Sequence, residues 1–155
     1  MLRKCVLLLL NFYSIFCFSQ TNVVEYYPKQ NGVFKILRIK NRQNVLSIYA
    51  KRVDSLVPLD TVQVPQGKKG DRIKIVSVID KNNKQGVKLK RNKKYNLTIQ
   101  SVYVKSINGL NELPPWRALH VGVEYHGVPI SLEPEKGIVN IFEARQIKGR
   151  YYIPE

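Results

Sequence analysis

Beyond residue 30, apolar and polar residues alternate along most of the chain, and the 3.6-residue period of a helix is hard to find. The stretches that carry alternation or β-branched runs are Val33–Lys40, Val45–Val53, Thr61–Val64, Arg72–Asp80, Val87–Lys90, Tyr95–Lys105, Leu119–Tyr125, Val128–Glu133 and Ile138–Ile147. Turn formers separate them, among them Asn41-Arg42-Gln43-Asn44, Pro65-Gln66-Gly67, Asn82-Asn83, Asn92, Asn108-Gly109, His126-Gly127 and Pro134 to Gly137. Short strands at this spacing predict an all-β single domain over residues 31–155. The expected form is an antiparallel β-sandwich of about 7–9 strands. A small β-barrel is the alternative, because alternation does not show whether a sheet closes.

One register follows from the pattern directly. If His126-Gly127 is a two-residue turn, Tyr125 faces Val128, Val123 faces Ile130 and Val121 faces Leu132, all apolar and on one side. Glu124, Pro129, Ser131, His120 and Glu133 then lie on the other, solvated side. Continuing through the Pro134–Gly137 turn sets Val139 near Leu132 and Ile141 near Ile130, giving a three-stranded meander. In Arg72–Asp80, Ile73, Ile75 and Ile79 share one face while Val76 and Val78 share the other, as in a strand covered on both sides. Val87 and Leu89 alternate with Lys88 and Lys90, which places those two lysines outward.

The N-terminus breaks the pattern. Arg3 and Lys4 precede an uncharged run, Val6 to Phe18, and Cys17 and Ser19 are small residues at −3 and −1 of a cut after Ser19. The run is shorter than the roughly 20 apolar residues of a membrane-spanning helix. Residues 1–19 therefore read as a cleavable Sec-type signal peptide and 20–30 as an irregular leader. A lipid on Cys17 is disfavoured, since Phe16 stands where a small residue is wanted. Phe18-Ser19-Gln20 resembles bacterial export signals in which a new N-terminal Gln follows the cut, which implies a secreted or periplasmic protein. Cleavage removes Cys5 and Cys17, leaving no thiol for a disulfide or a Cys-ligated metal.

Charge changes the picture further. The chain has 26 Lys and Arg against 11 Asp and Glu, and losing Arg3 and Lys4 leaves 24 against 11, a net +13. Twelve of these bases fall between Lys68 and Lys105, opposed only by Asp71 and Asp80. Such a field attracts polyanions, and it also keeps sheet edges soluble. The candidate anion-binding residues are Lys74, Lys88, Lys90, Arg91, Lys93 and Lys94. Trp116 and Arg117, held by Pro114-Pro115, form a possible aromatic contact.

Catalytic patterns are not found. His120, Glu124 and His126 share a parity, but the hairpin puts His126 in a turn, and His120 and Glu124 lie roughly 13 Å apart on a strand. Gly67-Lys68-Lys69-Gly70 lacks the spacing of a phosphate loop. No cofactor or metal site is expected. Three classes of function remain. The first is an exported, non-enzymatic binding or accessory protein of the cell envelope, meeting an anionic partner (acidic glycan, lipid headgroup or acidic protein) through a basic sheet face. The others are an assembly module pairing through sheet edges and a small carboxylate-dependent hydrolase. Nucleic acid is a weaker candidate, since export removes the protein from most of it.

Overall fold

The computed structural model describes residues 24–54, 68–80, 82, 85–111 and 122–154. The segment expected to be a signal peptide, the strand expected at Thr61–Val64, His120 and the expected Trp116–Arg117 contact lie outside them. In chain order the strands are β1 (Val24–Tyr26), β2 (Gln30–Arg42), β3 (Val45–Arg52), β4 (Arg72–Val78), β5 (Val87–Lys88), β6 (Lys94–Ser101), β7 (Val104–Ile107), β8 (Leu110–Asn111), β9 (Val123–Tyr125), β10 (Val128–Ile130), β11 (Ile141–Ala144), β12 (Ile147–Lys148) and β13 (Tyr151–Tyr152). The described residues contain one short 3-10 turn, Pro134–Lys136, and no helix long and apolar enough to cross a membrane.

The protein is all-β, and its centre is a closed five-stranded barrel in the order β11-β4-β3-β2-β6, with short sheets packed beside it. Closure comes from β11, which runs parallel to β4 and antiparallel to β6. Inward residues fill the barrel as alternation dictates: Phe34, Ile36, Ile48, Ala50, Ile73, Ile75, Leu97, Ile99 and Phe142 are all buried in one cluster. The pattern falters once, at Ile36-Leu37-Arg38. There a β-bulge absorbs the extra residue, so that Ile36 and Ile39 both turn toward the core cluster and Lys35, Arg38 and Lys40 all point outward.

A second apolar layer lies outside the barrel. Val45, Val76 and Ile141 pack there with Val128, Ile130 and Leu132, so β4 is covered on both faces. The hairpin register is as the pattern predicts, with Tyr125 opposite Val128 and Val123 opposite Ile130. His126 and Gly127 take the positive φ values, 49° and 75°, that a type I′ turn requires.

Two expectations are corrected. The meander stops after a single bridge, Glu133 to Ile138, because Ile141–Ala144 leaves it to close the barrel. Within the leader, Val24–Tyr26 is not irregular: it pairs antiparallel with Val104–Ile107, and that pairing docks the segment.

Candidate basic face

Alternation sends Lys35 outward between Phe34 and Ile36, and Lys51 outward between Ala50 and Arg52. Strand register then sets four cations in one row. Lys35 on β2 is the direct partner of Lys94 on β6 and, on its other side, of Lys51 on β3; Lys51 in turn faces Arg72 on β4. Lys51, Arg72 and Lys94 are exposed and Lys35 is half-buried. Among the described residues, Lys35, Lys51 and Lys94 form no ion pair. Neighbouring backbones in a sheet lie about 4.8 Å apart. The row crosses three of the five inter-strand steps of the barrel, so it curves around the outside.

Turns extend the row at both ends. Residues Lys90 to Lys93 form a turn with Asn92 at φ 64°. It docks on the bulge of β2: the Asn92 N–H donates to the Ile36 carbonyl at 2.7 Å, and the Ile36 N–H donates to the Lys93 carbonyl at 3.0 Å. Lys90, Arg91, Lys93 and Lys94, all exposed, are thereby brought beside Lys35. At the other end Lys68 and Lys69 are exposed in a turn tied to Arg52 by the bond from the Gly70 N–H to the Arg52 carbonyl. Along β2 itself the outer side continues with Arg38 opposite Tyr49, Lys40 opposite Ser47 and Arg42 opposite Val45.

Two of the expected residues stand elsewhere. Lys88 is exposed on β5, opposite Tyr151 in the small sheet β12-β13-β5. Lys74 is buried, with only 3 % of its side chain exposed, and is corrected from a surface site to an internal ion pair. Its outward parity on β4 is real, but residues 123–133 cover that part of the strand. The Lys74 ammonium lies 2.5 Å from Glu133 Oε1, donates to the Ser131 carbonyl and sits 5.2 Å from the Tyr49 ring centre. Glu133 is likewise not on a solvated face. Burial pushes its carboxyl upward, but hydrogen bonds from Lys136, Lys74 and Tyr49 outweigh this and hold it down at about 2. Burial, together with the same contact to Glu133, raises the Tyr49 hydroxyl well above its ordinary value.

Lys35 and Lys51 lie outside the Lys68–Lys105 cluster that marks the other bases in the sequence. The only signal for them is the alternation on each side. Trp116 and Arg117 lie outside the described residues. Comparison of the chain with protein-family models, with curated proteins and with solved structures finds no match in any of the three.

Proposed function

We propose that this chain is an exported, non-enzymatic binding protein of the cell envelope that holds a flexible linear polyanion, an acidic glycan, along its basic row. The observation that carries this reading is the register Lys94–Lys35–Lys51–Arg72 across four neighbouring strands. Like charges placed directly opposite one another destabilise a sheet, so a row of them costs stability unless an anion lies over it. Curvature favours a chain over a plane. A flat headgroup layer meets only part of a row that wraps the barrel, whereas a flexible polymer follows it.

The barrel connectivity supports a binding role by analogy. Taking the five barrel strands in sequence order as one to five, their neighbours run 1-2-3-5-4-1 with the third and fifth parallel. That order resembles the five-stranded Greek-key barrels that bind oligonucleotides and oligosaccharides on their outer strands. The likeness is of connectivity alone and does not identify a ligand.

The test is titration of polygalacturonate into the protein, followed by calorimetry. Binding is expected to weaken steeply as salt rises past physiological strength, where the screening length falls below about 8 Å. The double substitution Lys35→Glu, Lys51→Glu should abolish it while the fold persists. Binding that ignores both salt and substitution rejects the row as the site.

The small sheet β1-β7-β8 favours a second reading, an assembly module. Its two edge strands expose Val24, Tyr26 and Leu110, the last at 75 %. Self-association that Leu110→Lys removes would favour it.

A further inference from the structure

Far along β6 from Lys94, the outer surface of the barrel changes character. Two cavities of about 390 Å³ and 320 Å³ meet there, and Gln100, Tyr125 and Glu143 line both. Gln100 on β6 and Glu143 on β11 are direct register partners, so an amide and a carboxylate stand side by side on neighbouring strands. The Tyr125 hydroxyl donates to Glu143 Oε1 and fixes the orientation of that carboxylate. Tyr26, at the edge of the smaller cavity, is 51 % exposed. None of the row cations Lys35, Lys51, Arg72 and Lys94 lines either cavity; the cations lining the larger one are Lys29, Arg145 and Lys148, and among the described residues no Lys or Arg lines the smaller.

We propose that this cleft is a saccharide site, in which one sugar ring stacks on Tyr26 and its adjacent hydroxyls are held by the Gln100 amide and the Glu143 carboxylate. A sugar ring presents an apolar C–H face and a rim of hydroxyl groups. An exposed aromatic ring matches the first. A fixed carboxylate that accepts, beside an amide that both donates and accepts, matches neighbouring hydroxyls on the rim. Each cavity has the volume of a small-ligand site, and the two together take more than one ring. The site is separate from the basic row and does not depend on it. Its ligand is recognised through hydroxyls and stacking, so affinity does not require charge on the sugar.

The experiment titrates three neutral oligosaccharides, maltohexaose, cellohexaose and xylohexaose, into the protein at low and at high salt, followed by calorimetry. At least one is expected to bind with an affinity that salt leaves unchanged. Tyr26→Ala and Gln100→Ala should each weaken that binding about tenfold through loss of stacking or of a hydrogen bond to the ligand, with the melting temperature held. Lys35→Glu with Lys51→Glu should leave it untouched, which separates this site from the polyanion site. Absence of binding by all three sugars overturns the proposal. So does binding that survives both the Tyr26 and the Gln100 substitutions.

Discussion

Lys35 and Lys51 are direct partners on β2 and β3, two like charges side by side on the outside of the barrel. Removing one should relieve the repulsion. Lys35→Thr and Lys51→Thr are each expected to stabilise the protein by about 0.5 kcal/mol in urea unfolding, since Thr also suits a strand. Both should weaken polyanion binding. Substitutions that neither stabilise nor weaken binding would show that the two ammonium groups avoid each other and do not act together.

A second expectation concerns Gly32. A Cβ added there would lie 2.5 Å from Arg52 Nη2 and 2.7 Å from Arg52 Cζ. Arg52 cannot easily yield. It is 1 % exposed, donates from Nη2 to the Asn31 carbonyl at 2.6 Å, and has Nε 3.1 Å from Asp54. Gly32→Ala should therefore cost about 2 kcal/mol by overpacking. A chemical-denaturation midpoint equal to the wild type's would mean that the guanidinium swings away freely.

Acid stability should depend on Glu133. Its carboxyl sits at about 2 in the folded protein against an ordinary 4.5. The folded state therefore binds this proton less readily than the unfolded chain, and stability rises with pH between those values. The contribution is complete above pH 4.5 and is lost as pH falls toward 2. Glu133→Gln should flatten this part of the stability curve. Near neutral pH it should also cost about 3 kcal/mol, because it leaves the Lys74 ammonium buried without its carboxylate. Thermal melts of both proteins across the acid range measure the difference.

The hairpin layer offers a paired test. Ile130 is buried against Val45, Val76 and Ile141, whereas Ser131 beside it is exposed. Ile130→Asp should destabilise by about 3 kcal/mol or more, since it buries an unpaired charge. Ser131→Asp should change stability by about 0.5 kcal/mol or less. Equal costs in thermal melts would overturn the observed register.

What the sequence made legible was local. The turn at His126-Gly127 fixes its own pairing because two residues leave few registers, and apolar sorting selects among them. The double coverage of β4 could likewise be read from Val76 and Val78 standing opposite Ile73 and Ile75. The basic row could not be read that way. Lys94 and Lys35 meet through the pairing of β2 with β6, and no turn between those strands dictates it. Lys74 shows the converse difficulty: its parity is plain, but what covers it, the Glu133 segment, lies 59 residues on. Clustering along the chain pointed to bases near Lys94, while space added Lys35 and Lys51 from strands that looked electrically ordinary.

The parallel pairing of β11 with β4 governs the order in which the protein can form. Until Phe142 reaches Ile75 on one side and Ser101 on the other, the sheet has two unpaired edges, β4 and β6. Contacts that join distant parts of a chain form slowly, because the loop between them must be closed first. Synthesis supplies Ile141–Ala144 after the other four barrel strands, so a growing or truncated chain presents both edges to its neighbours, where strand pairing between molecules competes with closure. The few residues of β11 thus set the interval during which the molecule is most prone to aggregate, and a chain shortened before Ile141 would remain in it.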